Sequence, residues 1–417
     1  MDLASHAEHR YRWMILSIMA YLFFMINFAE FQLAGVVGDL SSALHLTPTQ
    51  FAMCLFAPFL VNFALGIPVG MTADRFGTRA VGSVLLLLSC VGIIGRAYAS
   101  TDFASLLVWM LVFGLSMAFA NALGPKILRT WFGPEQMPLA MGIFIASAGL
   151  GVGSGEATAP MFSSTRGAFT FAWVLFAVAT IWFLVGFRSK PAGQPDAPPQ
   201  RVLEFLGVAA RNRHVWVAGL AALFYFAATV GSSGNFPGAL VQSKGVSPVA
   251  AGLVGLPLGF GAALGGFFAP MILRRARSIR VSLSLFVVVG AVLLVAALAV
   301  PFGPLTWLCI FVGAFVSNGM LTLTLPVPVM LREIGTTYGG SAGGIVSLLQ
   351  TAGGFFVPTF GIALIAGGNP TVTFAAVFAL YVVSALLVLA LPERGFREGP
   401  VGDATELAGL AKSAGPG

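Results

Sequence analysis

Residues 70–79 read Gly70-Met71-Thr72-Ala73-Asp74-Arg75-Phe76-Gly77-Thr78-Arg79, with an apolar run on each side, 50–71 before and 79–99 after. A membrane helix needs about 20 mostly apolar residues, so the segment reads as a short charged turn between two spans. The pattern recurs along the chain. Twelve such runs lie at 13–37, 50–71, 79–99, 104–127, 138–162, 167–187, 214–240, 247–273, 281–301, 304–331, 341–366 and 370–392. None shows the ten-residue alternation of a barrel strand. The first is too long for the core of a signal peptide.

The composition agrees. Of 417 residues, 58% are hydrophobic and 9% charged, against about 25% charged in a soluble protein. So few charges cannot clothe a water-facing surface, which excludes a cytosolic enzyme, a secreted disulfide scaffold and a disordered chain. Cys54, Cys90 and Cys309 fall inside apolar runs and read as small buried hydrophobes. The expected fold class is an all-α membrane protein with twelve transmembrane helices.

A polar, proline-rich stretch, 188–213, divides the spans six and six. The expected organisation is an N-terminal six-helix bundle (1–187), a linker (188–213), a C-terminal six-helix bundle (214–392) and a polar, Gly-rich tail (393–417). Basic residues collect on the cytoplasmic side of membrane proteins. With a cytoplasmic N-terminus, every Lys and Arg except Arg96, Arg166 and Lys244 falls on that side, so both termini are expected in the cytoplasm of a cell (inner) membrane protein. The net charge of +7 is then a topology signal, and no nucleic-acid partner is expected. The halves also repeat. Pro58, Gly66 and Arg75 stand opposite Pro257, Gly265 and Arg274 at an offset of 199; Gly142, Ile143 and Gly151 stand opposite Gly344, Ile345 and Gly353 at an offset of 202. Six spans each, starting on the same side, make a parallel, pseudo-symmetric repeat.

The 70–79 turn resembles the G-x-x-x-D-R-x-G-R-[RK] signature of the major facilitator superfamily, with Thr78-Arg79 where the signature has two basic residues. The resemblance covers the whole chain and implies a transporter of two six-helix bundles working by alternating access. In it Gly70, Asp74, Arg75, Gly77 and Arg79 form a cytoplasmic gate motif. Gly70 is expected to let helices approach closely. The charges are expected to latch the halves in one state and release them in the other. The equivalent turn after span 8 (Arg274, Arg275, Arg277, Arg280) has no acid.

Within the superfamily, Gly124-Pro125-Lys126-Ile127-Leu128-Arg129-Thr130-Trp131-Phe132 with Ala140-Met141-Gly142, and Gly92-x-x-x-Arg96, are similar to cyanate/nitroimidazole-type and other organic-anion porters. Span 1 departs from that group: Asn27-Phe28-Ala29-Glu30 has no arginine beside the asparagine. Nitrate porters carry an arginine in spans 2 and 8; neither span has one here, and that reading falls. Proton-driven drug antiporters carry an arginine four residues before a span-4 glycine, where this chain has Met110. Their span-5 glycine pattern ends in proline, where Glu156 stands after Gly142, Gly151 and Gly155.

Three ionisable residues lie well inside spans: Glu30, Arg96 and Glu156. Each costs about 2.5–3.5 kcal/mol on insertion scales, so each asks for a reason. All sit roughly 25 Å of helix rise past their span starts, and the second half has no counterpart. The functional reading is a polar cluster that binds substrate or exchanges a proton, with Glu30 first and Glu156 second. The structural reading is a hydrogen-bonded acid, or an arginine reaching the interface. Asn27, Tyr225, Asn318 and Gln350 are the favoured substrate contacts, because spans 1, 7, 10 and 11 face or border the cavity in this family. Bonding between helices is the plainer role for such groups. The glycines of span 5 (Gly149, Gly151, Gly153, Gly155) permit tight, sliding contacts.

There is no nucleotide-binding loop and no metal-ligand spacing, so no cofactor and no metal are expected. The expected protein is a monomer in the lipid bilayer. It is not an enzyme but a secondary transporter of a small anionic or polar organic solute, coupled to protons as symporter or antiporter. The alternatives are a drug or metabolite efflux antiporter and a non-transporting sensor or assembly factor. Thermal shifts with small carboxylates, amino acids, sugars and drugs separate them. A solute ligand raises the melting temperature in a concentration-dependent way, and a sensor without a solute site shows no shift.

Overall fold

The computed structural model describes residues 3–133, 135–191, 206–273, 278–318, 320 and 335–391. In hydrocarbon every backbone polar group must be bonded within its own segment, and the apolar runs accordingly form helices. They are α1 (Leu3–Gly35), α2 (Pro48–Phe76), α3 (Thr78–Tyr98), α4 (Phe103–Phe113 and Leu115–Trp131), α5 (Met137–Thr158) and α6 (Thr165–Gly186). Then follow α7 (Arg213–Lys244), α8 (Pro248–Leu253 and Gly255–Leu273), α9 (Ile279–Ala299), α10 (Pro304–Ser317), α11 (Gly335–Phe356, continued through Val357–Ile362 and Ala363–Ala366) and α12 (Pro370–Leu389). Among the described residues eleven helices are long and apolar enough to cross a membrane. The rest of the tenth run, most of the linker and the tail lie outside the described residues.

Local chemistry sets the ends. Thr47 and Gln50 form a reciprocal capping box at the start of α2, with Pro48 in the first helical position. Asp102 and Ser105 do the same for α4, and the Ser105 backbone N–H and hydroxyl hold the Asp102 carboxyl below its usual range. α11 turns to π-helix over Val357–Ile362, a wider turn that accommodates Pro358 and its missing N–H. Gly77 (φ +87°) caps α2 and opens α3, a backbone conformation that favours glycine.

The same pairing appears twice. α1 packs on α5, α2 on α4, and α3 on α6; six helices later α7 packs on α11, α8 on α10, and α9 on α12. The repeat reaches single residues. A Cβ on Gly151 would collide with the Phe24 carbonyl of α1, and one on Gly353 with the Leu223 carbonyl of α7. The fold is therefore two pseudo-symmetric six-helix bundles. They meet along two seams, α5 on α8 and α2 on α11.

The α5–α8 seam is built by glycines. Gly149 faces Gly259 and Gly153 faces Gly255, backbone on backbone, with no room for a side chain on either helix. Towards the face that carries the 70–79 turn (the basic face) Gly142 packs on the Phe267 ring. At mid-span α2, α7 and α11 meet through aromatic rings: Phe59 on Phe226 (5.2 Å, 88°) and Phe63 on Phe356 (5.7 Å, 88°). Gly153→Val is expected to prise the seam open and cost about 1–3 kcal/mol, as overpacking does. Gly343→Ala, where an added methyl meets open space, is expected to be neutral or slightly stabilising. Thermal unfolding of the detergent-solubilised variants measures the contrast.

Candidate functional site

Arg96 of α3 is 2% exposed, and its charge is spent inside the N-terminal bundle. Nη1 donates to the Ala29 carbonyl of α1 (2.6 Å) and Nη2 to Gln32 Oε1 (3.2 Å). The guanidinium lies 4.2 Å over the Phe169 ring of α6. Gln32 in turn donates to the Ala168 carbonyl (3.1 Å), so one arginine and one glutamine tie α1, α3 and α6 together. Glu30 is 0% exposed and neither carboxyl oxygen has a hydrogen-bond partner. Arg96 is the charge that acts on it, yet no ion pair within 4 Å joins the two among the described residues. The structure thus groups Glu30 with Arg96, within the bundle rather than facing the other half.

Glu156 stands apart from that pair. It is 0% exposed on α5, again with both oxygens unpartnered, and it lies on the seam: Oε2 is 2.8 Å from the place a Cβ on Gly255 of α8 would occupy. Asn27 turns back on its own helix, donating to the Phe23 carbonyl (2.8 Å). Tyr225 Oη donates to the Ser317 carbonyl (2.9 Å) and lies 3.3 Å from Asn318 Oδ1, while Asn318 Nδ2 donates to the Ala262 carbonyl (2.5 Å). Thr229 and Tyr381 share a bond of 3.2 Å. These groups join α7, α8, α10 and α12, as Arg96 and Gln32 join helices of the first half. Gln350 differs: it is half-buried on α11, one turn from the Gly354 that packs on Phe226 and Phe59, and its amide has no protein partner among the described residues.

The gate motif pins helices of one half to each other. Asp74 forms an ion pair with Lys126 of α4, Arg79 Nη2 donates to the Leu184 carbonyl at the end of α6 (2.8 Å), and Arg75 stacks on Phe76 (5.2 Å). Two expectations differ from this arrangement. Among the described residues no atom lies within 4 Å of a Cβ placed on Gly70, so no described helix crosses at this glycine. The described bonds of Asp74, Arg75 and Arg79 all stay in the N-terminal half, because the base within reach of Asp74 is on α4, and none latches the two halves.

On the face opposite the basic one, a cavity of about 540 Å³ opens between the halves. Gly35, Asp39 and Phe56 line it from one half, Asn235, Gln242 and Thr373 from the other. Of the seven substrate or proton candidates none lines it. Sequence reading missed Gln32 and the role of Lys126. Gln32 sits in an apolar run with no spacing signal. For Lys126 the signal was present: the lone acid of the 70–79 turn needs a base, and span 4 ends in one.

A family model described as Major Facilitator Superfamily matches residues 14–358. A nitrate/nitrite transporter of Nostoc punctiforme is 29% identical over 163 residues, 38% of this chain and only 31% of that protein. A probable nitrate/nitrite transporter of Mycobacterium tuberculosis is 27% identical over 351 residues, 80% of this chain and 85% of the relative. The nitrite extrusion protein of Bacillus subtilis is 23% identical over 86% of this chain and 89% of its own length. Among solved structures, a bacterial homologue of the human lysosomal transporter Spinster matches with TM-score 0.73 and 16% identity over 94% of this chain and 99% of that one, a likeness of fold. These relatives are named as nitrate or nitrite transporters, a class whose span-2 and span-8 arginines this chain lacks. The departure itself stands: α8 has no arginine between Pro248 and Leu273, and α2 has only Arg75 in its last turn.

Arg96→Ala is expected to cost about 3 kcal/mol or more, because it strips two buried hydrogen bonds and opens a void. Asp74→Asn breaks a half-exposed pair and is expected to cost under about 1 kcal/mol. Thermal unfolding of both proteins tests the ranking.

Proposed function

Because this chain belongs to the Major Facilitator Superfamily, we propose that it is a secondary transporter that carries a small anion across the cell membrane by alternating access. The relatives that align along most of the chain carry nitrate or nitrite in their names, and that observation carries the substrate class. Nitrate and nitrite are the first solutes to test, ahead of small carboxylates. Without an arginine at mid-span on α2 or α8, recognition rests on neutral donors. Gln350 is the best placed, half-buried with an unengaged amide one turn from Gly354, which packs on Phe59 of the other half. Tyr225 and Asn318 position α10 against α7 and α8 rather than hold solute.

Proton coupling is assigned to Glu30. Burial makes a bare carboxylate costly, and the Arg96 guanidinium nearby offsets part of that cost, so Glu30 is placed to take up and give up a proton. A proton carried with the anion removes the net charge that must cross. The protein works as a monomer with both termini in the cytoplasm, as the placement of Lys and Arg asks. A second reading, export rather than uptake, is favoured by the relative named for nitrite extrusion. In proteoliposomes, nitrate or nitrite is expected to enter faster with an inward proton gradient. Glu30→Gln is expected to abolish the response to the gradient and Gln350→Ala to raise the half-saturating concentration about tenfold, the loss of one or two hydrogen bonds. Uptake of neither ion, or an unchanged gradient response in Glu30→Gln, contradicts the reading.

A further inference from the structure

Among the described residues Glu156 is the one acid that the two halves bury between them. Gly255 of α8 sits against its carboxyl, Gly252 of α8 packs on its carbonyl, and Gly35 at the end of α1 packs on the same carbonyl from the other side. Gly35 also lines the cavity on the outer face. One wall residue therefore separates that water-accessible space from the backbone of Glu156, while the carboxyl oxygens find no hydrogen-bond donor in the closed seam. An ionised carboxylate without a partner in a dry contact is strongly disfavoured. The closed seam accommodates the neutral acid.

We propose that Glu156 is a proton-binding site that controls the α5–α8 seam: the seam closes on the protonated acid and opens when the acid releases its proton into the outer cavity. In that step the carboxyl O–H bond breaks, the proton passes to a water molecule, and the carboxylate keeps the electron pair. Nothing nearby on the packed helices substitutes for Glu156. α8 has no ionisable residue from Pro248 to Leu273; α1 offers Glu30, which is grouped with Arg96 of α3; α5 has no second ionisable residue; α4 contributes Lys126 and Arg129 at its basic-face end; and Asp39 stands in the cavity wall. The proposal rests on the alternating-access reading, since a seam that never opens gives the acid no access to water.

The test is a distance measurement that needs no substrate. Spin labels on Ser163→Cys and Val249→Cys, exposed positions on either side of the seam, report its separation once Cys54, Cys90 and Cys309 are replaced. Between about pH 5 and about pH 8, the open-to-closed ratio is expected to rise with pH by up to about tenfold per pH unit where Glu156 titrates, the linkage of one proton. Glu156→Gln is expected to stay closed throughout. Glu156→Asp keeps an ionisable group and is expected to keep the response with a displaced midpoint, which serves if the glutamine variant does not fold. A flat wild-type profile, a response that persists in Glu156→Gln, or an unmoved midpoint in Glu156→Asp overturns the proposal. Absence of nitrate or nitrite uptake beside a Glu156-dependent response removes the substrate reading alone.

Discussion

The close approach of α5 and α8 governs the rest of the structure. Gly149 and Gly153 lie on Gly259 and Gly255 with backbone against backbone, a contact that any larger side chain would break. Such a contact gains from dispersion and close fit, since lipid offers no hydrophobic drive between helices. It also has no interlocking side chains. The helices are free to slide or tilt against each other while each half keeps its own shape.

The polar groups fall on the other side of that division. In the first half Arg96 and Gln32 bind α1, α3 and α6 from within, and Asp74–Lys126 with Arg79 fix α2 to α4 and α3 to α6. In the second, Tyr225, Asn318, Thr229 and Tyr381 bind α7, α8, α10 and α12. Directional bonds thus hold each bundle, and glycines and Phe rings form the contacts between them. Two rigid bodies joined by a smooth seam are what rocking about a central site requires. Glu156 is the exception: a carboxyl placed on the smooth surface and left without a partner.

Much of this was legible in the sequence, and the reason is physical. Hydrocarbon forces every span into helix, so run length alone gave the twelve spans. Glycine spacing in span 5 foretold the tight contact, and Gly151 opposite Gly353 foretold the repeat, because both positions leave room for a carbonyl of the neighbouring helix. Partner choice was not legible. Spacing placed Glu30, Arg96 and Glu156 at one depth, but depth does not say which way a helix is rotated. The structure sends Arg96 into the bundle and Glu156 to the seam. For the same reason the motif charges read as a latch between halves, whereas Asp74 finds its base on α4.

Transport by alternating access requires relative motion of the two halves, and a reversible lock across them tests it most directly. Val37, in the short helix Val37–Leu44 after α1, and Gly238 of α7 face each other across the cavity wall, with a Cβ on Gly238 3.2 Å from a Val37 methyl carbon. Cysteines at both positions, in a background without Cys54, Cys90 and Cys309, are within reach of a disulfide. Nitrite uptake by the reconstituted double variant is expected to cease on oxidation and to return on reduction. Uptake that continues at the same rate with the bridge closed would contradict the account.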